Sequence, residues 1–186
     1  FPTRRSSDLI DSYRTPLEKI KEDAPSGIIL TGGPNSVYED GAATCSRELF
    51  ELGVPVLGLC YGAQLMMHVL GGEVKRASER EYGKTRTEVD ITSKLFTGVP
   101  EESVVWMSHF DYISKLAPGF RSIAHTDNTP VAAAENTDDR LYAIQFHPEV
   151  LHTEYGKDML YNFVRNICGC AGDWEMGSFV ERTVNE

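Results

Sequence analysis

The chain has 186 residues, 41% of them hydrophobic, enough for one core that buries about 70% of the unfolded surface, so a single domain is expected. Its formal net charge of -10 argues against sequence-independent nucleic-acid binding, which needs basic clusters to neutralise phosphates. No stretch approaches the roughly 20 apolar residues of a membrane span, and no apolar core of a leader follows the N-terminal arginines, so neither membrane insertion nor export is expected.

Taken in order, Gly27 to Thr31 is a predicted strand running into the Gly-rich T-G-G-P-N-S of residues 31–36. Ala43 to Gly53 reads as a helix, Val54 to Leu59 as a buried strand and Tyr61 to Leu70 as a second helix, a βαβα pattern. Thr85 to Ile91, Val104 to Met107, Arg121 to Thr126, Val131 to Glu135 and Leu141 to Phe146 then read as strands, with turn signals at Pro100, Pro118-Gly119 and Asp138-Asp139. Tyr155 to Ile167 closes as an amphipathic helix. The pattern predicts an α/β fold: a flavodoxin-like open, mostly parallel sheet with helices on both faces and an antiparallel extension, its sites at the carboxyl ends of the strands. The cysteines at 45, 60, 168 and 170 make no disulfide framework, and the C-x-C near the end lacks the second pair a zinc site needs. A reducing, cytoplasmic setting and no metal are expected.

The run G-L-C-Y-G-A-Q at 58–64 puts Cys60 between the exit of an apolar strand and the entry of a helix, bracketed by Gly58 and Gly62. Such a turn is a nucleophile elbow: it projects the sulfur above the sheet edge, with the N–H groups and dipole of the helix N-terminus behind it to favour thiolate. Taken alone, Cys60 could equally be a buried structural cysteine. Q-F-H-P-E at 145–149 supplies the second half. Two residues apart in an extended segment, His147 and Glu149 share a side, and Pro148 keeps the pair out of a helix. A nucleophile at one strand end, with a base and its orienting carboxylate at another, is the Cys-His-acid triad arrangement.

Together, G-L-C-Y-G-A-Q, Q-F-H-P-E and T-G-G-P-N-S resemble the class I, triad-type glutamine amidotransferases. Within them, E-R-E-Y-G at 79–83, W-M-S-H at 106–109, H-P-E-V-L-H-T at 147–153 and the tail N-I-C-G-C-A-G-D-W-E-M-G-S-F are similar to the glutaminase domains of the GMP synthetase branch. The resemblance implies catalysis by Cys60, His147 and Glu149, with the Gly33 and Tyr61 N–H groups as oxyanion hole. It also implies glutamine binding by Gln64, Ser108, His109 and Phe110. Glu79, Arg80 and Glu81, otherwise a solvated charged turn, are implied to face a synthetase domain. The partners implied are L-glutamine and an ATP pyrophosphatase domain in the same protein, which would hold ATP and Mg2+ and use the ammonia to convert XMP to GMP. No cofactor is expected in this chain. Another class I branch, such as the small partner chain of anthranilate synthase, together with a γ-glutamyl hydrolase and a catalytically silent interaction fragment, stand as alternatives.

The T-G-G-P-N-S loop has a competing reading as a phosphate cradle, against which Pro34 removes an N–H and Asn35 replaces the expected aspartate; a plain turn is the third. His68, at helical spacing among Leu65, Met67 and Leu70, is read as a packing or partly exposed histidine, and neither His125 nor His152 is given a catalytic role. Family members open with a hydrophobic strand, whereas this chain begins F-P-T-R-R-S-S-D-L. Residues 1–14 are therefore expected to be non-native or truncated, 15–170 to be the amidotransferase domain, and 171–186 to begin a linker to the synthetase domain. In a flavodoxin-like order the first strand lies between the second and third, so its loss would leave a gap in the sheet.

Overall fold

The computed structural model describes residues 9–171, apart from the side chains of 78–80; the expectations for residues 1–8 and 172–186 lie outside the described residues. It contains α1 (Leu17–Asp23), β1 (Ile28–Leu30), β2 (Val56–Leu59), α2 (Tyr61–Leu70), β3 (Glu73–Val89), β4 (Glu102–Lys115), β5 (Arg121–His125), β6 (Ala133–Asn136), β7 (Leu141–Ile144) and α3 (Gly156–Tyr161). The strands form a seven-stranded sheet in the order β1-β2-β7-β6-β5-β3-β4. β1–β2 and β2–β7 are parallel pairs, and the other four pairings are antiparallel, so the α/β sheet is as expected while its antiparallel extension is the larger part.

The expected gap between the first two strands is absent. Ile28 pairs with Val56 and Leu30 with Gly58 directly, so β1 hydrogen-bonds β2 with nothing between them. Alternation along β2 and β7 divides the core into two layers. Leu57, Leu59, Tyr142 and Ile144 face Met159 and Phe163 of the C-terminal helical segment, while Val56, Leu141 and Ala143 face Ala63, Met66 and Met67 of α2, with Leu17 and Ile20 of α1 at the margin. Helices thus cover both faces.

Three elements depart from expectation. The predicted helix 43–53 contracts to a 3-10 turn, Arg47–Glu51, opened where Ser46 Oγ accepts from the Glu48 N–H and closed before Gly53 at φ +74°. The predicted helix 155–167 is α-helical only to Tyr161 and widens to a π-helical turn over Asn162–Ile167. The largest difference is the β3–β4 hairpin, which extends the predicted strands 85–91 and 104–107 to Glu73–Val89 and Glu102–Lys115. Its inward face carries Glu81, Thr87, Ser103, His109 and Asp111, all buried, so polar residues occupy both faces and the hydrophobic alternation that announces a strand is lost. Among the described residues no helix is long and apolar enough to cross a membrane.

Candidate active site

The parallel pair β2–β7 places both halves of the motif at one sheet edge. Leu59 is in register with Ile144, and the Cys60 N–H donates to the Ile144 carbonyl at 2.8 Å, so the chain leaves both strands at the same level, with Cys60 on one and Gln145-Phe146-His147 on the other. Cys60 sits at φ +51°, ψ -106°, a conformation that costs a non-glycine residue on the order of 1–3 kcal/mol and is held by the strand before it and the helix after it. Both flanking glycines are required by contact. A Cβ on Gly58 would lie 2.6 Å from the Gly62 carbonyl group, and one on Gly62 would lie 2.2 Å from the Leu30 carbonyl oxygen. The sulfur is buried, 3.9 Å from the Ser108 carbonyl oxygen and 4.0 Å from Gln145 Nε2.

His147 Nδ1 lies 2.7 Å from Glu149 Oε1, the pairing expected from their two-residue spacing. Its backbone is pinned: the His147 N–H donates to the Trp106 carbonyl at 3.0 Å, and the Thr153 hydroxyl donates to the His147 carbonyl at 2.5 Å while accepting from the Trp106 N–H at 3.0 Å. A hydrogen bond with Cys60, then one with Glu149, raises the imidazole to about 10 against the opposing effect of burial. Burial works to raise the Glu149 carboxyl, but the His147 hydrogen bond and charge, with a backbone N–H, prevail and hold it below its ordinary value.

The T-G-G-P-N-S loop closes the third side. A Cβ on Gly32 would stand 3.6 Å from His147 Cε1 and 3.8 Å from Cys60 Cβ, so the loop passes beside the Cys60 side chain and the imidazole. Gly33 packs on the Tyr61 ring, 3.3 Å from Cγ if it bore a Cβ. Neither the Gly33 N–H nor the Tyr61 N–H is taken by an acceptor among the described residues. The loop is tied down by Ser36 and Tyr38, whose hydroxyls both donate to the Asp111 carboxylate, Tyr38 at 2.8 Å.

Of the residues expected to bind glutamine, Gln64 is buried, and its Nε2 donates to the Asp111 carbonyl at 2.8 Å and to Gln145 Oε1 at 3.1 Å. With both amide protons committed inside the protein, only its oxygen is left to meet a substrate. Ser108, His109 and Phe110 do not converge: alternation along β4 buries His109 on the inner face and leaves Phe110 exposed on the outer, so what the segment offers jointly is backbone. Glu81, expected on an outward charged turn, is instead turned inward. Thr126 donates to its Oε1 at 2.9 Å and Thr129 to its Oε2 at 2.5 Å. The side chains of Glu79 and Arg80 lie outside the described residues. His68 is exposed, His125 lies 3.6 Å from Glu88, and His152 stacks on Trp106 with ring centroids 4.8 Å apart.

Sequence reasoning passed over Asp111, Gln145 and Thr153. Asp111 shares the inward parity of His109 on β4, an acid on a buried face, which is the one signal that singles it out. Gln145 lay inside Q-F-H-P-E, with no local sign that its amide reaches under the sulfur. Among the described residues no group of His, Cys, Asp and Glu is placed to hold a metal ion.

A cysteine on a strained strand-to-helix turn, with an acid-paired histidine and two open backbone donors nearby, is an arrangement that can carry acyl transfer. The family model described as "Glutamine amidotransferase class-I" matches residues 5–167, and the chain belongs to that family. Its relatives include the GMP synthase [glutamine-hydrolyzing] of Lachnospira eligens, 68% identical, and that of Agathobacter rectalis, 58% identical, each over 95% of this chain and 34% of their own length. The chain therefore spans about a third of these curated relatives. A Thermoplasma acidophilum protein provisionally assigned as one subunit of a GMP synthase shares its structure with TM-score 0.73 and 33% identity, over 82% of this chain and 77% of that one. A glutamine amidotransferase of Thermotoga maritima, 24% identical with TM-score 0.61 over 82% of this chain and 64% of that one, shares the fold.

Proposed function

We propose that this chain is the glutaminase part of a GMP synthase, hydrolysing L-glutamine to glutamate and ammonia in the cytoplasm. The observation that carries this reading is the convergence of Cys60, His147 and Glu149 at the ends of two adjacent parallel strands, under a loop whose Gly33 N–H is open. The Cys60 proton passes to His147, and the sulfur attacks the side-chain amide carbon of glutamine. The Gly33 and Tyr61 N–H groups hold the oxyanion; losing one such donor typically costs on the order of a hundred- to a thousandfold in rate. His147 then gives its proton to the departing nitrogen, ammonia leaves, and a thioester to the glutamyl group remains. Water, deprotonated by His147, attacks the thioester, releasing glutamate and restoring the thiol. Glu149 fixes the imidazole tautomer and stabilises its charged form. The Gln64 oxygen accepts from the substrate ammonium, and Asp111 keeps the oxyanion loop seated through Ser36 and Tyr38.

The ammonia serves an ATP pyrophosphatase domain of the longer protein, which binds ATP and Mg2+ and aminates XMP. Glutamate release from glutamine, measured on the purified chain with and without such a domain, tests the reading. Cysteine-dependent release that falls by about 10⁴-fold or more in Cys60→Ala and rises with the added domain is the expected result. Release insensitive to Cys60→Ala would overturn the mechanism; release from γ-glutamyl peptides with no response to the added domain would instead assign a γ-glutamyl hydrolase.

A further inference from the structure

One buried polar cluster beside the site has no part in the mechanism above. Glu81 on β3 is directly opposite His109 on β4, both on the inward face, with Glu81 Oε2 3.8 Å from His109 Nε2. The carboxylate is fixed on both oxygens by Thr126 and Thr129, and those hydroxyls belong to a preformed turn in which the Thr129 N–H donates to Thr126 Oγ1 at 2.9 Å. His109 is the opposite case. It is 7% exposed, and beyond a backbone group of Asp111 its ring nitrogens have no hydrogen-bond partner. A buried polar group short of partners is costly, on the order of 1–3 kcal/mol where it is left wholly unsatisfied. His109 follows Ser108, whose carbonyl lies 3.9 Å from the nucleophilic sulfur. The charged groups facing it are Glu81 from β3, Asp111 from its own strand and His147 from the segment after β7.

The geometry points to Glu81 as a positioning residue for glutamine hydrolysis, acting through His109: the acid holds the ring's proton on Nε2, keeps the imidazole oriented, and sets the pH at which burial ceases to keep it uncharged beside His147. This rests on the glutaminase reading. An anion 3.8 Å from one ring nitrogen favours the tautomer that carries hydrogen there, leaving Nδ1 as the acceptor. Adding a second proton puts a cation next to His147, whose own positive form the reaction requires, and the two imidazolium charges compete. Burial lowers the His109 ring below the ordinary imidazole value, and Glu81 pulls it back up. The acid thus sets the pH at which His109 charges and the site fails.

The test is the pH profile of kcat/KM for glutamate release in wild type, Glu81→Gln, Glu81→Asp and His109→Asn, with Glu81→Gln repeated in the His109→Asn background. Removing the anion takes away the upward pull, so the acid limb of Glu81→Gln moves to lower pH by about 1 unit or more, while Glu81→Asp, which keeps the charge, restores it toward the wild-type position. His109→Asn removes that limb, and in its background Glu81→Gln shifts nothing further. A merely structural acid would lower the melting temperature and leave the limb in place. An unmoved limb in folded Glu81→Gln, or in His109→Asn where Glu81→Gln does not fold, overturns the proposal, as does an equal shift in both backgrounds. No glutamate release from wild type at any pH overturns the glutaminase reading instead, a different result from release with an unmoved limb.

Discussion

At the scale of residues, the proposed triad sets its own charge state. The His147 imidazole is raised to about 10 by its hydrogen bonds to Cys60 and Glu149, so the proton it takes from Cys60 is held on the ring through the neutral range. Its folded value exceeds its ordinary value of 6.5, so its contribution to stability is full below about 6.5 and is lost as pH rises toward 10. Glu149→Gln removes one of the two partners that hold the proton. The high-pH limb of kcat/KM should therefore move to lower pH in that variant, which a rate series across the neutral-to-alkaline range would detect. A limb that stays in place would mean Glu149 does not act on His147. The placement of these three side chains was legible because each motif is local: an elbow needs its flanking glycines and a His-acid pair its two-residue spacing. Asp111 and Gln145 were not, because they act through partners 75 and 81 residues away in sequence, Ser36 and Gln64.

At the scale of elements, α2 was predicted with its observed limits because its start is fixed by the elbow and its end by Gly71 at φ +95°. The helix packs so closely on β1 that its second residue has no room for a side chain. Gly62→Ala would drive a methyl against the Leu30 carbonyl, 2.2 Å from the ideal position, and should destabilise by about 3 kcal/mol through forced separation of helix and sheet. The drop in denaturant midpoint measures it, and a change under about 1 kcal/mol would show that the helix shifts freely. The β3–β4 hairpin is the contrary case. Its inward face is half polar because Glu81 and Asp111 are buried there by partners on other elements, with His109 beside them, and a binary pattern cannot anticipate such pairings.

At the scale of the molecule, stability should be graded across the sheet. β2 and β7 are buried along their whole length and flanked on both sides, whereas β1 has three residues and lies at the sheet edge with Ile29 40% exposed. Because β1 pairs directly with β2, no gap interrupts the core, and thermal unfolding should be a single cooperative transition. Amide exchange should be slowest at Leu57 to Leu59 and Tyr142 to Ile144 and faster in β1. Two separated transitions, or β1 as well protected as β2, would contradict this arrangement.

The sequence by itself determined the α/β class, the elbow, the His-acid pair and their order along the chain, since turn chemistry, apolar runs and short spacings act over a few residues. Only the tertiary structure decided that β7 lies beside β2 and so brings His147 to Cys60 from the other half of the chain. It also decided that β1 pairs β2 without a gap, and that Glu81 faces inward rather than toward solvent. Each of these depends on which distant partner satisfies a strand edge or a buried carboxylate, and long-range pairing of that kind leaves no local mark in composition or periodicity.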